Sequence, residues 1–289
     1  MARQPRMSDG DTTAGMIPVV VLNLKSSTAR RQQIDARLEN LGIDYHFFDA
    51  IDGRLLSAKE LERLAPPSSL LFDRLLTLGE IGCATSHFAV IRQLAGEEHD
   101  FVCVLEDDVI PLSDNIRHFL QSQTLAALPE FDVLRMMSDP ARWRMPAWQV
   151  ARVHDRCIYA MARPGFGTQG MIYSRAGLRK MVGQIGAIKA PVDFMFFHDC
   201  HIAGLRVLEI RPGLFEHDQQ FLRPELVKSS DIGARPIANR RSMSLNDRIR
   251  RNLLRQRRKR MAVRSFIQAW GLRGLLRILL RWLPGPYFR

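Results

Sequence analysis

The chain has 289 residues, 46% of them hydrophobic and 25% charged, an ordinary globular composition sufficient for one α/β core and a small appendage. Its net charge of +12 is confined to one end: residues 240–289 hold fifteen Arg and Lys against the single acid Asp247, a net +14, which leaves −2 for residues 1–239. The anionic partner implied by the charge therefore belongs to the tail and is not necessarily the substrate of the core.

Residues 1–15 read as a polar, disordered leader without an apolar stretch of signal-peptide length. The run Met16–Leu24 is too short to cross a bilayer and is interrupted by Pro18 and Asn23, so neither secretion nor a spanning anchor is expected. Cys83, Cys103, Cys157 and Cys200 are widely spaced, a pattern that fits reduced thiols in a cytosolic protein.

The β-branched run IPVVVLNL predicts a buried strand, and STARRQQIDARLENLG, with helical spacing and a terminal glycine, predicts the helix behind it. A second strand follows over Ile43–Ala50 and ends in the turn-rich Ile51-Asp52-Gly53. LSAKELERLA begins as a helix and is broken by Pro66-Pro67; a longer helix is entered around Glu80. FVCVLEDDV then runs an apolar strand directly into Glu106-Asp107-Asp108. FDVLRMM is the next strand, residues 138–167 read as an irregular loop or hairpin, and GTQGMIYSRAGLRKMVGQI gives a short strand, an N-cap at Ser174 and a helix. LRVLEI is the last expected strand, ended by Pro212-Gly213. Strands alternating with helices in this way predict a parallel, doubly wound sheet, in which ligands gather at the carboxyl ends of strands.

The acidic triplet sits at such an end. At about 3.3 Å per residue its carboxylates crowd together, and a divalent cation would relieve their repulsion; oxygen-only ligands suit Mn²⁺ or Mg²⁺ over Zn²⁺. Such an ion can bridge the phosphates of a nucleoside diphosphate. The alternatives are a solvated loop, a cap for a helix starting near Ser113, or a phospho-acceptor pocket of the receiver-domain kind.

Taken in order, the blocks VVVLNLKSSTARR, YHFFDAIDG, LGEIGCATSH, FVCVLEDDV, GTQGMIYSRAGLRKM and APVD make residues Ile17 to Ser230 resemble glycosyltransferase family 25, the lipooligosaccharide galactosyltransferase-like family. The resemblance implies a GT-A fold, a Rossmann-like mostly parallel sheet with flanking helices over residues 16–239; it does not cover residues 240–289, which read from their own pattern as a basic amphipathic helical tail. It also implies a UDP-sugar donor and a divalent metal, Mn²⁺ or Mg²⁺. By similarity, Glu106, Asp107 and Asp108 form the DxD-like element; Asp108 contacts the metal directly, and Glu106 and Asp107 hold the ribose or metal-bound water. His217, with Gln219, lies where GT-A enzymes place a late ligand to metal or diphosphate.

Within that frame, Asn23, Arg30 and Arg31 would meet the uracil, ribose and diphosphate, arginine being suited to bidentate phosphate contact; an exposed helix face is the alternative for both arginines. Asp49, Asp52 and Gly53 would serve the ribose, unless Asp52-Gly53 is a plain turn. Glu80 and His87 lie about two helical turns apart and would face one cleft, although a helical histidine also serves packing. Asp193, behind Pro191 among apolar neighbours, would be the general base, or else a helix cap. The run His198-Asp199-Cys200-His201 reads as structural, because so tight a cluster does not supply tetrahedral ligation alone.

In the tail, Arg273, Arg277 and Arg281 form one stripe, with Trp270, Leu276 and other apolar residues covering the rest. This suits an anionic membrane surface, with oligomerisation or nucleic-acid binding as rivals; the absence of a nucleic-acid module disfavours the last. The expected protein is thus a hexosyltransferase, galactose being the typical sugar, acting on a lipid-linked or oligosaccharide acceptor at the cytoplasmic face of a membrane. The rival is a non-catalytic adaptor built on a decayed transferase core.

Overall fold

The computed structural model describes residues 15–67, 75–137, 147–162, 167–198, 204–218 and 245–281. The leader 1–14, Trp143, Pro146, Asp199 to His201 and Gln219 lie outside the described residues, as do the side chains of Arg277 and Arg281.

β1 (Val19–Asn23) is buried along its whole length and pairs in parallel with β2 (His46–Asp49) on one side and β3 (Phe101–Glu106) on the other. The crossover between β1 and β2 is α1 (Thr28–Asn40), which buries Ile34 and Leu38. α2 (Ala58–Leu64) and α3 (Leu78–Ala95) each begin in a capping box, Ser57 with Glu60 and Thr77 with Glu80. After β3 come β4 (Val109–Pro111), the short helices α4 (Ile116–Phe119) and α5 (Ser122–Ala126), and β5 (Val133–Arg135). β6 (Ala147–Val153) and β7 (Arg156–Met161) form an antiparallel pair, so the described part of residues 138–167 takes the hairpin alternative. β8 (Gly170–Ser174), α6 (Arg175–Val182), β9 (Val207–Arg211) and β10 (Phe215–His217) complete the domain, and α7 (Leu245–Arg281) follows.

Eight strands make one sheet in the order β2-β1-β3-β8-β5-β9-β7-β6, six of them running the same way. The sheet is mostly parallel, as expected, with β8 and β7 running against the rest. Apolar content alone does not encode strand direction, and β8 is as fully buried as the parallel strands β1 and β9. Two apolar layers cover the sheet, one centred on Phe88, Ile91 and Phe196, the other on Ile34, Leu38 and Phe119.

Two consequences place the functional site. The antiparallel β8 starts where β3 ends, with Glu106 N donating to Gln169 O at 2.8 Å, and so delivers residues 167–170 to the triplet. A separate two-stranded pairing of β4 with β10 sets His217 opposite Val109, one residue beyond the triplet.

Beneath β5, the fully buried Asp132 accepts bonds from Lys180 Nζ and Arg206 N, both at 2.6 Å. Asp132→Ala leaves the Lys180 ammonium without its carboxylate, and a loss of about 3 kcal/mol is expected by urea unfolding.

Candidate active site

Glu106, Asp107 and Asp108 leave the sheet at the carboxyl end of β3, and each carboxylate meets different partners. Asp107, buried, accepts from Asn23 Nδ2 at 2.7 Å and pairs with Arg30 Nη1 at 3.4 Å. Burial pushes its carboxyl up to about 6 against the pull of Arg30 and Asn23, with Asp108 and Glu106 adding repulsion. Asn23 itself is buried at the end of β1, and its Oδ1 has no hydrogen-bond partner among the described residues.

Glu106 Oε1 lies 3.1 Å from His87 Nε2 and accepts from Thr168 Oγ1 at 2.6 Å. Burial opposes its ionisation, but the His87 and Thr168 bonds outweigh it and hold the carboxyl below the usual glutamate range. His87 sits on the buried face of α3, its ring edge-on to Phe196.

Asp108 Oδ2 lies 3.1 Å from His217 Nε2, and its Oδ1 is buried without a hydrogen-bond partner among the described residues. Burial draws the His217 imidazole down, yet the Asp108 carboxylate more than compensates and raises it. Asp108 O also accepts from Asp218 N at 2.8 Å. Arg37 of α1 locks this junction, donating to Val109 O at 3.0 Å and to the buried Asp218 at 2.5 Å.

The other expected residues are distributed unequally. Asp193 orients its carboxylate by accepting from Gly167 N at 3.2 Å and Phe194 N at 2.9 Å, at the start of the π-helical turn Phe194–His198. Its charge, with those of Glu106, Asp108 and Glu80, adds to the upward push on the Cys83 thiol, and the ligand atoms of Cys83, His87 and Glu106 lie within 4.8 Å of one another. Glu80 Oε2 accepts from Thr77 N at 3.0 Å and closes the capping box of α3. Asp49 is half-exposed and pairs with Lys25 at 2.9 Å and Arg31 at 3.9 Å, while Arg31 also lies over the Phe47 ring. Asp52 caps the 3₁₀ turn Gly53–Leu55 and pairs with Arg54 at 2.7 Å. Gly53 is buried against α3: a Cβ there would stand 1.9 Å from Leu78 O, and one on Gly82 2.6 Å from Ile51 O.

Residue-type reasoning missed Thr168, Arg37 and Asp218. Thr168 lies in the GTQG block, but a threonine there carries no chemical signature; Arg37 and Asp218 are 181 positions apart and meet only through folding. Thr168→Val keeps the side-chain volume and removes the donor to Glu106. A fall in turnover of about ten-fold or more is expected, read by steady-state kinetics.

Cys83, Cys103 and Cys157 are free thiols. Burial first, and then the surrounding carboxylates, push the Cys83 thiol well above its ordinary value. It stays protonated at neutral pH, so iodoacetamide labelling of Cys83 should be slow at pH 7 and rise only under strongly alkaline conditions, as mass spectrometry would show.

The family model described as "Glycosyltransferase family 25 (LPS biosynthesis protein)" matches residues 16–196. The chain belongs to glycosyltransferase family 25. The match contains the triplet, Asn23, Arg30, His87, Thr168 and Asp193, whereas His217 lies beyond it. Among family relatives, the lacto-N-neotetraose biosynthesis glycosyltransferase LgtE of Neisseria meningitidis serogroup B is 28% identical over 227 residues, 73% of this chain and 79% of that one. A putative glycosyltransferase of Haemophilus influenzae is 27% identical over 207 residues, 68% of this chain and 69% of its own length. A glycosyltransferase 25 family member of Aedes aegypti is 32% identical over 100 residues, 33% of this chain; the matched part spans only 16% of that longer protein. Among solved structures, a glycosyltransferase involved in glycosylation of the major capsid of PBCV-1 aligns over 83% of this chain with a TM-score of 0.36 and 11% identity.

Proposed function

We propose that this family-25 transferase moves a hexose, galactose in the first instance, from a UDP-sugar to a hydroxyl of a lipid-linked or oligosaccharide acceptor, on a GT-A arrangement of the sheet. Family membership supports the transfer reaction and a nucleotide-sugar donor. The observation that carries the donor assignment is the division of labour in the triplet, three adjacent carboxylates with three separate sets of partners.

Asn23, Arg30 and Asp107 line the carboxyl ends of β1 and β3, where a guanidinium and an amide suit a diphosphate and a carboxylate suits ribose hydroxyls. The residues also fit a divalent cation of the Mn²⁺ or Mg²⁺ class. Asp108 Oδ1 is a buried oxygen without a partner among the described residues, and His217 Nε2 stands beside Oδ2, so Asp108 and His217 would hold the ion. When bound, it would supply neutralisation of the leaving diphosphate's charge. His87 and Thr168 fix Glu106 at the rim of this site. Asp193, oriented by two backbone donors, is assigned the proton of the acceptor hydroxyl.

A decayed adaptor would not need Asp108 and Asp107 buried side by side, because their mutual repulsion destabilises the empty fold. The reading is tested by offering the full chain a panel of UDP-hexoses with Mn²⁺ and following UDP release, with and without galactose-, glucose- and N-acetylglucosamine-terminated acceptors. Preferential turnover of one UDP-hexose, stimulated by an acceptor, supports it; no release from any donor sinks it.

A further inference from the structure

The two sides of α7 have different fates. Before the break at Gly271 (φ 62, ψ −171), its inward side is docked on the catalytic domain. Ser265 is buried and its Oγ accepts from Gly204 N at 2.8 Å. Trp270 lies edge-on to Trp148 of β6 with ring centroids 5.2 Å apart, and Phe266 contacts the same ring at 6.3 Å. Trp270, expected from the sequence on the lipid side, is therefore an anchor to the edge of the sheet, because Trp148 offers it an aromatic partner.

The outward side carries exposed aliphatic residues, with the exposed Gln256 and Arg260 between them. Ile249, Leu253, Val263 and Ile267 are 50, 66, 57 and 39% exposed, and at 3.6 residues per turn they fall within an arc of about 80°. Exposed Arg257 and Arg264 flank this arc on one side and Lys259 on the other, while Arg260 lies within it. Beyond the break, Leu272 and Leu276 are again exposed, at 74 and 56%, beside the exposed Arg273. Among the described residues no helix is long and apolar enough to cross a membrane.

We propose that this outward face of α7 is a docking surface for an anionic lipid bilayer, and that the inward face fixes the catalytic domain to it in one orientation. The aliphatic stripe enters the headgroup boundary, and the basic residues meet lipid phosphates, Arg260 by snorkelling from within the stripe. Charge complementarity selects the occupant, for residues 240–289 carry a net +14 while the remainder is nearly neutral. An RNA would use the arginines but gain nothing from four exposed aliphatic side chains.

The test uses the full chain and needs no turnover, so it stands or falls apart from the donor assignment. Co-sedimentation is measured with phosphatidylglycerol/phosphatidylcholine vesicles and with phosphatidylcholine alone, at low and high salt. Binding to the anionic vesicles only, weakened by salt, is expected. The V263E/I267E variant should lose about ten-fold or more of that affinity, and R257Q/R264Q should lose the preference for anionic lipid, with both melting as the parent does. Absence of anionic-vesicle binding, unchanged binding in V263E/I267E, or complete displacement by single-stranded RNA would each overturn the proposal.

Discussion

Replacing Asp108 with Asn is expected to lower kcat/KM for the UDP-sugar by about 10³-fold, the loss typical of removing one group that stabilises developing charge. Asp108 is the triplet member whose Oδ1 is buried and has no hydrogen-bond partner among the described residues, so its negative charge stands ready for a ligand. Asparagine keeps the shape and leaves an amide beside His217, but offers a weaker oxygen donor to a hard cation. Thermal stability should change little, because asparagine relieves the repulsion between Asp108 and Asp107 while giving up the charge paired with His217. A fall in activity with little change in Tm is the expected signature; equal losses of activity and stability would instead mark Asp108 as a folding residue.

Gly53→Ala should have the opposite signature. The loop after β2 crosses the first turn of α3 so closely that an added Cβ would sit 1.9 Å from Leu78 O, and Leu78 belongs to the helix backbone and not to a flexible side chain. Gly82 meets the same crossing from the other side, its own Cβ position lying 2.6 Å from Gly53 N. One methyl group must therefore push the loop off the helix, at a cost of about 2–4 kcal/mol, or a fall in Tm of about 4–12 °C. Among the molecules still folded, UDP affinity should change by less than about three-fold if Gly53 serves packing alone; a selective loss of UDP affinity at unchanged Tm would place Gly53 against the nucleotide. Calorimetry and UDP titration on the same preparation separate the two.

Much of the architecture was legible because it is local. The β-branched run of β1, the capping boxes of α2 and α3, and the Ser174 cap, whose Oγ accepts from Gly177 N at 3.0 Å, are each written within a few residues. The reversal of β8 was not legible, since a strand buried on both faces has the same composition in either direction. In the site, Glu106-Asp107-Asp108 announced itself by three charges at a strand end. Of its partners, His217 entered only through the family resemblance, since it reaches Asp108 through the β4–β10 pairing, and Thr168, which reaches Glu106 across 62 positions, carried no signal. Conversely, Glu80 was paired with His87 by helical spacing, and the structure gives it a capping bond that the Thr77-x-x-Glu80 spacing also encodes.

Titrating UDP into the full chain by isothermal calorimetry, with Mn²⁺ and then with excess EDTA, tests the donor-site assignment most directly. Saturable binding with Mn²⁺ that weakens at least about ten-fold in EDTA, and equally in Asp108→Asn, is the predicted result. UDP binding of the same strength with EDTA and in the Asp108 variant, or no binding under either condition, would contradict it.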